Sequence, residues 1–265
     1  MTARSFALPA ALVLLAPLVA APLRAQGVEY SASTTRYRVT TTTKGSQTSP
    51  MGSQDFEVSA KQQLTVSLAK PAKDTVIATM TLDSLSIESS QGPQDLTRLL
   101  GSKFVTLLSP TGKFYSSRTT ASNDPMLAQV IESAARFLPV YRRDLKAGLV
   151  WSDTISGKVN QQGMEVDRTI ISDYKVLDDT TVSGEKAFKV SRRAIVQAAG
   201  SGSNQGQPIA LESTTNSDGV FFLGSKGVYL GGRQHDDINV KVSILAQNAE
   251  VNIKQSAQSK IEAIK

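Results

Sequence analysis

Phe56-Glu57-Val58-Ser59-Ala60-Lys61-Gln62-Gln63-Leu64-Thr65-Val66-Ser67-Leu68 decides the fold class of this chain. Phe56, Val58, Ala60, Leu64, Val66 and Leu68 share one parity, while Glu57, Ser59, Lys61, Gln63, Thr65 and Ser67 occupy the other. Successive side chains of a strand point to opposite faces, so this alternation buries one face and leaves the other wet. Val76, Ala78, Met80 and Leu82 repeat the pattern against Thr75, Thr79, Thr81 and Asp83. Leu85 and Ile87 then continue it on the other parity, which predicts a β-bulge near Asp83.

The same rhythm extends in both directions. Strands are expected at 28–43, 103–109, 113–119, 150–160, 164–177, 181–198, 207–223, 227–233, 237–247 and 249–256. Pro110-Thr111-Gly112, Gln162-Gly163, Ser183-Gly184, Gly224-Ser225-Lys226-Gly227 and Gln247-Asn248-Ala249 are turn signals short enough for hairpins, so the sheet should be mainly antiparallel. Thr40 to Thr43 suit an extended strand because branching at Cβ stiffens the side chain.

Two segments break the rhythm. Asn123 or Asp124 can cap a helix begun by Pro125, with Met126, Leu127, Val130, Ile131, Ala134, Phe137 and Leu138 on one stripe and Pro139 as its stop. A shorter helix is expected from Pro93 to Leu100, turning Leu96, Leu99 and Leu100 inward and ending at Gly101. Ala198 to Pro208, with Gly200, Gly202 and Gly206, reads as a loose hairpin loop.

The N-terminus has an address of its own. Arg4 precedes an apolar stretch from Phe6 to Ala21, too short to span a bilayer comfortably and interrupted by Pro9 and Pro17. Leu23-Arg24-Ala25 ends in a small residue and Gln26-Gly27 opens a polar segment, so residues 1–25 read as a signal peptide cleaved after Ala25. Cleavage removes Arg4 and Arg24 and no acid from a chain of formal charge +6, leaving a mildly basic product. Residues 26–265 are long enough for one β-rich domain, exported to the periplasm or the medium, with no transmembrane segment left in it. The chain has no cysteine, which excludes a disulfide framework and a lipidated cysteine anchor.

Composition also limits the chemistry. His235 is the single histidine, so no site within one chain can use two imidazoles, and Asp236 and Asp237 should point to opposite faces of a strand. His235 itself is expected in a solvated turn. No Gly-x-Ser-x-Gly elbow occurs. Ser67-Leu68-Ala69-Lys70 and Ser183-Gly184-Glu185-Lys186 match a Ser-x-x-Lys spacing, but in strands or turns, where the lysine does not sit one helical turn from the serine. Arg142-Arg143 and Arg192-Arg193 are isolated basic pairs without interleaved aromatics, which argues against nucleic acid as a partner. No catalytic residue, metal site or cofactor is expected. A transmembrane β-barrel would want aromatic girdles and a terminal aromatic strand, whereas this chain ends Ser259-Lys260-Ile261-Glu262-Ala263-Ile264-Lys265.

Leu145-Lys146-Ala147-Gly148-Leu149-Val150-Trp151-Ser152 turns at Gly148 and delivers the single tryptophan into a strand, where it should pack in the core. The stretch resembles the Leu-Lys-x-Gly-x-x-Trp segment of a family of uncharacterised exported bacterial β-rich proteins. The order of long strands, a helix and more long strands is also similar to the periplasmic lipoprotein-carrier architecture. That resemblance implies a mainly β (α+β) fold, a large curved antiparallel sheet or half-barrel covered by one or two short helices. It further implies a concave apolar face able to hold acyl chains, with the helix at 124–138 as part of a lid.

Two functional classes are therefore carried forward. One is a non-enzymatic carrier or binding protein of the bacterial envelope for a hydrophobic or lipidic ligand, lined by Leu64, Val66, Met80, Leu82, Leu127, Ile131 and Phe137. The other is a structural or interaction module with a filled core, whose partner is an envelope protein or glycan. The same seven residues would serve an ordinary core.

Overall fold

A computed structural model describes residues 27–264, apart from 90–95, 120–136, 162–163 and 205–206. Eleven strands form one antiparallel sheet: β1 (Ser33–Ser49), β2 (Gly52–Ala72), β3 (Thr75–Ser89), β4 (Lys103–Leu108), β5 (Phe114–Thr119), β6 (Val150–Gln161), β7 (Met164–Val182), β8 (Glu185–Asn204), β9 (Gln207–Gly224), β10 (Tyr229–Ile244) and β11 (Ala249–Ile264). Their order is β5-β4-β3-β2-β1-β11-β10-β9-β8-β7-β6, so the chain lays down one wing, crosses over, and builds the other. The first and last strands in that order do not pair, and the sheet is not closed.

The alternation read from Phe56 to Leu68 holds. Leu64, Val66 and Leu68 pair with Leu82, Met80 and Ala78, all buried on one face, and the register slips where Asp83 is inserted opposite Gln63 and Leu64. That slip is the bulge the phase change predicted. Several strands run longer than expected. The 227–233 and 237–247 segments are one strand, β10, and the last strand, expected to end at 256, continues to Ile264. The segment expected as a loose loop is mostly ladder as well, because Ala198 to Ser203 pair residue for residue with Ser213 to Pro208. His235 lies inside β10, not in a turn.

The expected helical cover is not found among the described residues. Among the described residues there are only two single-turn 3₁₀ segments, Thr97–Leu99 and Leu245–Gln247. The expected helix from Pro93 to Leu100 contracts to the first of these: Leu96 and Leu99 are buried, Leu100 is 41% exposed, and Gly101 closes the turn at φ +75°. With three residues per turn a 3₁₀ segment cannot hold all three leucines on one face. Of the helix expected at 124–138, residues 124–136 lie outside the described residues, and Phe137 and Leu138 form a bend. Irregular chain does the covering seen here. Val28 and Tyr30 from the segment before β1, Leu96 and Leu99, and Leu138, Tyr141 and Leu145 from the segment before β6 all enter the core.

That cover is fastened to its surroundings. Val28 N donates to Arg143 O at 2.8 Å, Tyr30 N to Pro110 O at 2.8 Å, and Tyr141 N to Thr111 O at 3.0 Å. Glu29 bridges Lys70 of β2 and Arg143, the latter at 2.8 Å. The hydrogen bond from Lys70, reinforced by the charges of Lys70 and Arg143, holds the Glu29 carboxyl below its usual range against the opposing cost of burial.

Candidate functional site

Register sorts every strand residue onto one of two faces. The inner face carries Tyr37, Leu64, Met80, Val190 and Phe221, and it changes character along the strands. At one end, near the hairpins joining β2 to β3 and β7 to β8, it is filled. Tyr37 stacks on Tyr229 at 5.6 Å, Phe137 meets both edge-on at 5.0 and 5.7 Å, and Trp151 stacks on Tyr174 at 4.8 Å. Burial pushes the phenols of Tyr30, Tyr37, Tyr141 and Tyr229 above the usual value, so they stay protonated. Tyr30 and Tyr37 use that proton to donate to Pro139 O at 2.8 Å and Tyr229 O at 2.7 Å. The second bond reaches from β1 across β11 to β10, tying the sheet over its own inner face.

Half-way along, the inner face becomes polar and its side chains short. One register row reads Trp151, Tyr174, Arg192, Gly219, Gln234, Ser259, Thr41 and Ala60 from β6 to β2. The next reads Asp153, Ser172, Ala194, Ser217, Asp236, Ala257, Thr43 and Val58. Arg192 Nη2 donates to Ser172 Oγ at 3.3 Å, Ser217 donates to Asp236, and Gln234 Nε2 donates to both Asp236 oxygens at 2.8 and 2.9 Å. Ser172 and Ser217 are buried; Arg192 and Asp236 are half-buried.

Beyond this belt the inner face turns aliphatic again. Ile155, Ile170, Val196, Ile238, Val240, Val242, Val251 and Ile253 share it across β6 to β11. Only a small cluster there, Met164, Val166 and Ile209, forms a core, whereas Val196, Ile238, Val240, Val242, Val251 and Ile253 are half-buried and Ile155 is 41% exposed.

The outer face is mostly polar, with an exposed aliphatic pair, Ile171 and Ile195, at 44% and 45% exposure on β7 and β8. Two open grooves cross it, of about 800 Å³ over β8, β9, β10, β11 and β1 and about 460 Å³ over β7 to β11. The first is edged by Arg193, Arg233, Lys260, Asp218 and Glu262, the second by Asp167, Glu212, Lys241, Lys254 and a run of Thr, Asn and Gln. His235 lies on this face, Nε2 3.4 Å from Asp237 Oδ1, while Asp236 points inward to Ser217, the opposition expected of neighbours in a strand. Among the described residues no three His, Asp or Glu side chains gather as metal ligands would.

Of the seven residues singled out from sequence, Leu64, Val66, Met80 and Leu82 come together on the paired strands β2 and β3 at the filled end, none more than 4% exposed. Phe137 packs against the same cluster through Tyr37 and Tyr229. Leu127 and Ile131 lie outside the described residues. The polar belt was missed, although its signal was present: Arg192 shares parity with Val190, Ala194 and Val196, so the isolated pair Arg192-Arg193 divides between the faces.

No helix among the described residues is long and apolar enough to cross a membrane, which says nothing about strands. Neither a family model nor a curated protein matches the chain. Among solved structures, a provisionally assigned outer membrane lipoprotein-sorting protein domain from Vibrio parahaemolyticus is similar over 85% of each chain, at 10% identity and a TM-score of 0.15, a superposition too loose to carry an argument.

Proposed function

We propose that this chain is an exported, non-enzymatic binding protein of the bacterial envelope that holds a hydrophobic, lipid-like ligand against the inner face of its open sheet. The observation that supports this reading is the set of inner-face aliphatics on β6 to β11, where Ile155 is 41% exposed and Val196, Ile238, Val240 and Ile253 are half-buried, with Thr215, Ser213 and Arg168 set among them. Apolar side chains left accessible on the inner face of a folded sheet offer a surface for something apolar to dock. Leu64, Val66, Met80, Leu82 and Phe137 then form the filled wall at one end of the binding face. The stretch from Arg4 to Ala25 supports export.

The reading is tested by producing the full precursor in a bacterium, fractionating the cells, and recording denaturing and native mass spectra of the recovered protein. The expected product leaves the cytoplasm, begins at Gln26 and carries lipid-sized adducts lost on organic extraction. Unprocessed protein in the cytosol would remove the export half. A ligand-free spectrum, with no binding of an added fatty acid, would favour the second reading, an interaction module with a filled core. That alternative draws support from the near-complete burial of Leu64, Val66, Met80 and Leu82.

A further inference from the structure

Arg192 is a half-buried cation on the inner face. Away from the hairpin end, where Lys70, Asp179 and Lys186 fall on the same parity, the charged strand residues of this face among those described are Arg168, Arg192, Asp153 and Asp236. Asp236 is already occupied by Ser217 and by both contacts from Gln234. The hydrogen-bond partner of the Arg192 side chain among the described residues is the neutral hydroxyl of Ser172, at 3.3 Å. A half-buried guanidinium has five N–H donors to satisfy and favours a planar anion that can accept two of them at once. The adjoining positions carry little side chain, because Gly219 pairs with Arg192 on β9 and Ala194 follows it on the same face of β8, where long side chains would otherwise reach over it.

The belt also lies at the right place along the strands. Directly below it the aliphatic band begins with the row Ile155, Ile170, Val196, Thr215 and Ile238. A molecule with an anionic head at Arg192 would lay its hydrocarbon along that band, matching both surfaces together. We infer that Arg192, with the Ser172 hydroxyl, is the headgroup subsite for a single-chain amphiphile bearing a carboxylate or a similar oxyanion. This rests on the hydrophobic-ligand reading above and narrows it from any apolar molecule to an anionic one.

Trp151 reports on the site without a label, since it is the only tryptophan and stacks on Tyr174, the residue paired with Arg192. The exported protein is titrated with oleate in mildly alkaline buffer, where the carboxyl is ionised, and with oleyl alcohol of the same chain length. Oleate should bind roughly tenfold more tightly, the worth of charge-assisted hydrogen bonding in such a setting. Arg192→Gln should bring oleate down to the affinity of the alcohol and leave the alcohol unchanged. Arg192→Lys should restore part of the difference, and Ser172→Ala should shrink it. Binding of neither ligand overturns the hydrophobic-ligand reading and this inference with it. Equal binding of both by the unmodified protein, or a preference for oleate that survives Arg192→Gln, overturns the headgroup assignment alone. The comparison of two ligands on the unmodified chain stands even where a variant folds poorly.

Discussion

Thr106 illustrates at one position how the interior is composed. It lies on the inner face of β4 between Phe104 and Leu108, is fully buried, and its hydroxyl has no hydrogen-bond partner. An unmade hydrogen bond in an apolar core costs on the order of 1–3 kcal/mol, whereas the methyl of valine occupies the same volume at no such cost. Thr106→Val should therefore leave the protein as stable or raise its stability by about 1 kcal/mol. Met80→Ala, on the neighbouring strand and 1% exposed, should lower it by roughly 2–5 kcal/mol through the cavity left behind. Urea unfolding followed by circular dichroism measures both. A clear loss in Thr106→Val would mean that its hydroxyl has a partner in solution. Arg192 teaches a related lesson about legibility: its parity was readable, but the meaning of a cation at an inward position depends on whether the face is covered, which sequence alone does not state.

At the scale of the element, alternation read in one strand carried to nearly the whole sheet, and the bulge at Asp83 followed from a change of phase in Leu85 and Ile87. What failed to read were strand ends and cover. Gly200 and Gly202 looked like loop residues because glycine weakens strands in general, yet here they occupy inner-face positions in β8, and a Cβ on Gly200 would lie 2.5 Å from Glu165 O. At Gly200 the missing side chain thus marks a close approach of neighbouring backbone. At Gly45 an added Cβ would lie 2.6 Å from both Lys254 O and the tip of the Phe56 ring, while at Gly157 on β6 nothing stands within 4 Å. Gly45→Ala should thus destabilise by about 1–3 kcal/mol through forced displacement of β11 and Phe56. Gly157→Ala should be neutral or stabilising by about 0.5–1 kcal/mol through reduced freedom of the unfolded chain. Denaturant midpoints of the two variants, compared side by side, decide whether the inner glycines are there for space. The cover was harder to foresee, since irregular segments such as Phe137 to Leu149 carry no period and are placed only by what they meet.

On the scale of the whole molecule, an open sheet leaves two edges, and the longer is β6, whose twelve residues pair with β7 along one side and with no other strand among the described residues. A long edge offers unpaired backbone groups to any other chain. Its side chains make matters worse, because Val150 is 62% exposed and Ile155 41% exposed. Two charges interrupt the strand, Asp153 on the inner side and Lys158 on the outer, and each would have to be desolvated if another strand docked. Asp153→Val with Lys158→Val should leave the fold intact but drive self-association, seen as large species in size-exclusion chromatography with light scattering and as thioflavin fluorescence. Lys158 also pairs with Glu165, so Glu165→Gln serves as the control: it breaks the same exposed ion pair yet keeps the lysine on the edge, and it should remain monomeric. If the double variant stays monomeric at concentrations where the control does, something other than charge protects this edge.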